Sequence, residues 1–315
     1  MSPIEYRQAS TDKIIKALSD GTAPWVKPWD ENRVSIGMPF NAITQRAYHG
    51  GNALYLQCQL YEDPRWCTYK QAQSEGWQVR KGEQASVVEY WQWEKEERDA
   101  DGEISKTKLE SPKVFYAKVF NAKQMDHLPE LVLSKGPEWQ PELAAERILK
   151  NANPHLLHDQ INRAFYVPSK DEIHLPSKTA FPTASRYYAT VLHELGHWSG
   201  HESRLNRDLS SQYGTESYAR EELRAELASY FLSAKTGIPH DPAQHAAYIQ
   251  SWINILQNDH NEIFRAAKEA EKMTEYVLQF EQENQLVTSQ TEHAHKLTNK
   301  KYINLKQVEE EALEC

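Results

Sequence analysis

The sequence predicts an α+β protein in two parts: an N-terminal α+β half built on a twisted sheet, and a mainly helical C-terminal half with a small sheet. Three observations predict this. The stretches "SVVEYWQWE" and "KVFYAKVF" alternate apolar and polar residues at the period of strands. The segment "LPELVLSKGPEWQP", residues 128–141, interrupts the patterns on both sides with Pro and Gly. Beyond it, apolar residues recur at helical spacing as far as about residue 284. The expected organisation is therefore a first domain over 1–127, a linker over 128–141, a second domain over 142–284 and a polar tail over 285–315.

Each element has a local cause. "STDKIIKALSD" reads as an amphipathic helix over residues 10–20, capped by Ser10 or Thr11 and stopped by Gly21. "TAPWVKPW" is held extended, because each Pro excludes helix at the residue before it. A helix is expected from about Thr68, a turn at Gly76, and then the first alternating strand. "RDADGEISKTKLESP" reads as a polar hairpin tip around Asp-Gly, from which the second strand returns. The second domain opens on the helix "PELAAERILKNA", and two short strands flank a Ser-Lys-Asp turn in "AFYVPSKDEIHLPS". A long helix starts near Pro182 and runs through "VLHELGHWSGH", and "YAREELRAELASYFLSAKTG" forms the next, ending at Gly237. Two more helices fill roughly residues 242–283.

Charge narrows the functions. A net charge of −9 argues against an electrostatic grip on nucleic acid by the whole molecule. Residues 1–125, however, balance 17 Lys and Arg against 17 Asp and Glu, and seven of those acids fall between Glu94 and Glu110. The rest of that half can offer a basic face, and it holds six of the nine Trp. Three cysteines without metal or disulfide spacing point to a reducing compartment. With no signal pattern and no run of 18 or so apolar residues, the expectation is a cytoplasmic protein without a membrane partner.

The chemistry lies in "VLHELGHWSGHESRL". On a helix His193 and His197 project from one face a turn apart, so both can ligate one ion, and Glu194 stands beside them as a general base. Imidazole and carboxylate donors favour one Zn2+, while Mn2+ or another divalent ion fits the same donors. His201 on a continued helix would sit about 12 Å from His193 along the axis, too far to share that ion. A sharp turn at Gly200 would relieve this, but the HExxHxxGxxH pattern needs histidine where Ser203 stands. The third ligand is expected from "EELRAE": Glu222 as ligand, with Glu226 four residues on bonded to a ligand histidine, and Glu221 facing solvent. His201 keeps a supporting place near the metal, and Tyr166, Asp171 and His174 on the edge-strand segment are candidates for shaping a peptide groove.

The first half interleaves aromatic and basic residues, the mixture that holds single-stranded DNA by stacking bases and tracking phosphates. The candidates are Trp25, Lys27, Trp29, Arg46, Tyr48, Arg65, Trp66, Tyr69, Lys70, Trp77, Arg80 and Lys81.

Two sets of segments carry a resemblance. "TDKIIKALSDGTAPWVKPWD", "PFNAITQRAYHGGNALYL", "RWCTYKQAQSEGWQVRKGEQASVVEYW" and "FYAKVFNAKQ" resemble the N-terminal domain of the ArdC-type antirestriction proteins, also found in plasmid TraC-type primases. "YVPSKDEIHLPSKTAFPTASRYYATVLHELGHWSGHESRLNRDL" and "YAREELRAELASYFL" resemble the zincin-like metallopeptidase domain that accompanies it. The resemblance spans about residues 5–280. It implies a plasmid- or phage-encoded protein that binds single-stranded DNA and protects incoming DNA from host restriction. Position by position it supports His193, Glu194, His197 and a glutamate of "EELRAE", leaving Glu222 and Glu226 both open. Two readings follow: a zinc peptidase acting on a host protein, or a single-strand-binding protein whose metal domain is a structural or contact module.

Overall fold

The computed structural model describes residues 3–21, 38–98, 104–131, 141–238, 240 and 247–281. Its first helix, α1, spans Pro3–Ser19 and begins well before the expected caps. Ser10 and Thr11 are instead inside it and buried, because each hydroxyl finds a carbonyl: Ser10 donates to Tyr6 O at 2.8 Å and Thr11 to His260 O at 2.8 Å. Pro3 suits the first turn, where an N–H would have no helical partner.

A four-stranded sheet follows in the order β1-β2-β5-β4, from β1 (Phe40–Asn41), β2 (Arg65–Thr68), β4 (Ser86–Arg98) and β5 (Ile104–Asn121). Helix α2 (Gly50–Gln57) precedes β2, and α3 (Tyr69–Ser74) starts from Thr68 through a reciprocal capping box with Gln71. β3 (Gln78–Val79) pairs with β6 (Met125–Asp126) as a separate ribbon.

The β4–β5 hairpin is longer than its sequence suggests. Strand pairing continues through the stretch expected as a polar tip, with Glu94 opposite Lys108 and Arg98 opposite Ile104. An acid facing a base across an antiparallel pair stabilises the ladder, so polar residues there extend the strands. At the outer edge of β4 the side-chain amide of Asn52 takes the place of a neighbouring strand, accepting from Glu89 N and donating to Glu89 O.

In the C-terminal part, α4 (Pro141–Ala152) leads to a three-stranded sheet in the order β7-β9-β8, with β7 (His155–Gln160) parallel to β9 (Glu172–Pro176) and β8 (Phe165–Val167) antiparallel to it. β8 and β9 are the expected pair. β7, "HLLHDQ", lacks clean alternation and is an addition the pattern did not carry. Helix α5 (Ala184–Trp198) is capped by Thr183, and α6 (Glu216–Thr236) runs from a Thr215 cap to Gly237, which ends it at a φ of 76°. α7 (Ile249–Asn258) and α8 (262–281) complete the helical layer. Among the described residues no helix is long and apolar enough to cross a membrane.

The core ties the two parts together. Ile14 and Leu18 of α1 and Leu54 of α2 are buried in one cluster with Leu223 and Leu227 of α6, Trp252 of α7 and Met273 of α8. A second cluster packs Ile148 of α4, Ile173 and Leu175 of β9, and Val191 and Leu195 of α5. Helix α6 thus meets the N-terminal helices on one side and α5 on the other.

Gly51 tests this junction. A Cβ there would come within 2.3 Å of the Phe264 ring of α8. In an isolated helix Gly→Ala stabilises by about 1 kcal/mol. Here Gly51→Ala is expected to destabilise by about 1–3 kcal/mol in denaturant unfolding, and the penalty should vanish in a Phe264→Ala background.

Candidate metal centre

Helix α5 is buried over most of its length, with Tyr187, Val191, Leu192 and Leu195 in the core beneath it. This fixes the opposite stripe, where His193 and His197 stand one turn apart with ring centroids 5.0 Å from each other. Helix α6 crosses beside them and inserts Glu222. One carboxylate oxygen lies 3.7 Å from His193 Nε2 and the other 3.6 Å from His197 Nε2. The three donors lie within 4.8 Å of one another. Ligands of a tetrahedral Zn2+ site are spaced by about 3.3 Å, given metal–ligand distances near 2.0 Å. Small side-chain adjustments therefore suffice to close this triplet on an ion.

The charges around the triplet fit a dication. Glu194, Glu221 and Glu222 all line the same cleft as the two imidazoles. Arg207 is bonded to one of them, Glu221. Burial pushes the His197 imidazolium down, but Glu222, Glu221 and Glu194 outweigh it and raise its pKa to about 9. Burial likewise pushes the Glu222 carboxyl up, and His197 and His193 bring it to about 2.

Glu221 departs from expectation. It is only 12% exposed, and its carboxylate lies 3.2 Å from His197 Nδ1. Arg207 donates to the same oxygen at 2.7 Å, to Gly196 O at 2.9 Å and to Ser199 Oγ at 2.9 Å. A 100° turn from Glu222 does not lead to solvent, because the chain after α5 folds back across that face and covers it. Gly200 makes the fold-back possible: a Cβ there would stand 2.8 Å from the Arg207 guanidinium. Glu226, expected on a ligand histidine, has its Oε1 2.9 Å from His240 Nε2, and His240 Nδ1 lies 3.3 Å from Ser229 Oγ. The fully buried Glu226 thus meets the segment after α6. His201 turns into its own loop, where Ser203 Oγ lies 2.9 Å from its Nδ1.

Two tyrosines that sequence reasoning missed belong to the cleft. Tyr218 lies one turn before Glu222 on α6 and hydrogen-bonds its carboxylate; burial first, then that charge, holds its phenol far above the ordinary range. Tyr248 stands beside it, with ring centroids 6.0 Å apart. The i, i+4 spacing of Tyr218 and Glu222 was the available signal. The opposite wall is strand β8, whose Phe165 and Tyr166 face the cleft. Arg204 fastens that wall to the end of α5: it donates to Trp198 O at 2.6 Å, to Asp171 Oδ2 at 3.0 Å and to Tyr166 OH at 3.2 Å. His174, the register partner of Phe165 on β9, stacks on that ring at 4.9 Å on the same face of the sheet and bonds Asp159.

The candidate DNA contacts are scattered differently. Trp25, Lys27 and Trp29 lie outside the described residues. Trp66 is a correction: at 2% exposure it is core, packed edge-on against Tyr61, and it offers no ring face to a base. Tyr48 and Trp77 are half-buried against the two N-terminal clusters. Arg65 is committed to Asp63 and to Pro129 O, and Arg80 to Glu83, Asp126 and Lys123 O. Arg46, Tyr69, Lys70 and Lys81 are exposed.

With this geometry in hand, comparisons with known proteins are specific. A family model described as the N-terminal domain of anti-restriction factor ArdC matches residues 4–122, and one described as a zincin-like metallopeptidase matches residues 143–269. Two Escherichia coli proteins named DNA primase TraC are each 48% identical over 88% of this chain, which spans only 27% and 20% of their lengths. A Sinorhizobium fredii protein, y4eC, is 32% identical over 88% of this chain and 92% of its own. Crystal structures of the antirestriction protein ArdC from the R388 plasmid, metal-free and Mn(II)-bound, superpose with TM-scores of 0.69 and 0.70. They share 37% and 35% identity, covering 88% of this chain and 98% of theirs.

The arrangement predicts a ranking of metal affinities, measured by competition with a chelating dye. Glu222→Ala abolishes binding. Glu221→Gln weakens it by about 10–100-fold through the freed His197 ring. Glu226→Gln lowers thermal stability by loosening His240 and leaves affinity close to the unaltered protein's.

Proposed function

Because this chain belongs to the ArdC antirestriction family, we propose that it is a plasmid- or phage-encoded protein that binds single-stranded DNA through its N-terminal half and carries a zinc-dependent, peptidase-like site in its C-terminal half. Its task on this reading is to protect DNA entering a new host from restriction during conjugation, with a host protein as the peptidase substrate. The observation that carries the reading is the open cleft in which His193, His197 and Glu222 converge beside Glu194.

His193, His197 and Glu222 would hold the ion, with Zn2+ favoured by the two imidazoles and one carboxylate and Mn2+ compatible with them. When bound, the ion supplies Lewis-acid polarisation of a peptide carbonyl and lowers the pKa of a water. The remaining work falls to the chain. Glu194, 4% exposed and facing the cleft, takes the proton of the attacking water and returns it to the departing amine. Tyr218 donates to Glu222 and holds that carboxylate in place, while Arg207 through Glu221 fixes the ring of His197. β8 is the edge of its sheet, so an extended peptide can pair with it and lie across the cleft.

Glu194→Ala tests the proposal. It leaves the three ligand side chains intact, so metal and DNA binding are retained, while cleavage of a protein substrate falls by about 10²–10⁴-fold. Protection of transferred DNA in a restricting host should fall with it. Protection that survives the change would leave only the binding role, with the metal domain as a structural or contact module.

A further inference from the structure

The aromatic residues first considered for DNA contact are largely used in packing, whereas four other rings are conspicuously exposed on one element. Tyr90 (54%), Trp91 (44%), Trp93 (53%) and Phe115 (39%) all lie on the β4–β5 hairpin. Tyr90 and Phe115 are register partners on one face and stack at 5.5 Å with planes 23° apart. Trp91 and Trp93, two residues apart on β4 at the hairpin's register shift, stack at 6.4 Å with planes 18° apart. Three of the rings lie on β4, the last strand of its sheet, and Phe115 lies on its neighbour β5.

This ring-bearing part of the hairpin also carries exposed lysines. Lys113 stands opposite Gln92 on the Tyr90 face, and Lys118 opposite Val87 on the Trp91 face; both are exposed. The guanidinium of Arg7 lies 5.8 Å from the Trp91 ring centre. Of the acids nearby, Glu89 is buried and already engaged by Arg7 at 3.0 Å, Trp91 Nε1 at 2.7 Å and Tyr116 OH at 3.2 Å, Glu94 stands opposite Lys108 in the ladder, and Glu110 is exposed. Apolar rings left in water beside cations, with Glu89 held by Arg7 and Glu94 facing Lys108, complement a ligand that offers flat π-faces joined by anionic links. Single-stranded DNA is that ligand.

We propose that the part of the β4–β5 hairpin beyond Glu89, with Tyr90, Trp91 and Trp93 on β4, Phe115 on β5, and Lys113 and Lys118 beside them, is the base-stacking platform for single-stranded DNA. This rests on the reading of the N-terminal half as a single-strand binder. It moves the stacking function from the motifs around Trp66 and Trp77 to a hairpin whose alternation alone reads as ordinary sheet. Glu89 sets the geometry, since it ties Trp91 to α1 through Arg7 and keeps the indole upright at the edge.

The test uses the full chain and a fluorescein-labelled oligothymidylate, with affinity from anisotropy and indole contact from tryptophan quenching. Tyr90→Ala/Trp93→Ala removes two rings that are more than half exposed and leaves the Glu89 knot in place. Its affinity should fall by about 10–100-fold with thermal stability unchanged, and Tyr90→Phe/Trp93→Phe should restore most of it. Lys113→Gln/Lys118→Gln should flatten the dependence of affinity on salt. If the unaltered protein binds the oligonucleotide and the ring variant binds it equally well, the platform is overturned while single-strand binding stands. If the unaltered protein does not bind, that reading fails and the platform with it. If the ring variant keeps its DNA affinity but converts a dimer to a monomer in sedimentation, the rings are a self-contact and the proposal is overturned.

Discussion

One carboxylate between two imidazoles organises the C-terminal half. Glu222 is 6% exposed in its side chain and meets both His193 and His197, so α5 and α6 must cross at that point with little freedom. A buried carboxylate with nothing opposite it would be strongly destabilising; here two histidines on a neighbouring helix answer it. The same crossing explains the chain's path after Trp198. It folds back so that Arg207 can reach Glu221, and Glu221 can hold the outer nitrogen of His197. Three carboxylates and one arginine around two imidazoles form a set that favours added positive charge, and a divalent ion supplies it in the most compact form.

The N-terminal half is fastened to this arrangement. Ile14, Leu18 and Leu54 share a core with α6, and Thr11 bonds the backbone at His260 between α7 and α8. Helix α1 therefore does two things: one side seals the helix that carries Glu222, and Arg7 on another braces the β4–β5 hairpin through Glu89. A strand held at the hairpin edge and a cleft held by α6 are joined through a packed core rather than through a flexible tether.

The sequence made parts of this legible for physical reasons. The i, i+4 histidines with glutamate beside them can be read from helix geometry alone, and so can the choice of a downstream glutamate over His201, which the rise per residue sets apart. The return of the loop after α5 over Glu221 is not legible in the same way, because a side chain's angle about a helix says nothing of what later covers it. His240, a partner of Glu226, is supplied by tertiary contact from the segment after α6, which spacing along one helix does not show. The polar stretch from Arg98 reads as a hairpin tip while the strands continue into it, since patterning does not register an acid paired with a base across strands. Trp66 and the Trp91–Trp93 pair have similar local chemistry in sequence; only the sheet's position in the fold buries the first and exposes the others.

The most direct measurement of the central claim is a crystal structure grown with Zn2+ and phased at the zinc edge. The account predicts one anomalous peak about 2.0–2.2 Å from His193 Nε2, His197 Nε2 and a Glu222 oxygen, with the Arg207–Glu221–His197 chain unbroken. A peak bound by Glu226 or His201 in place of Glu222, or none between α5 and α6, would contradict it.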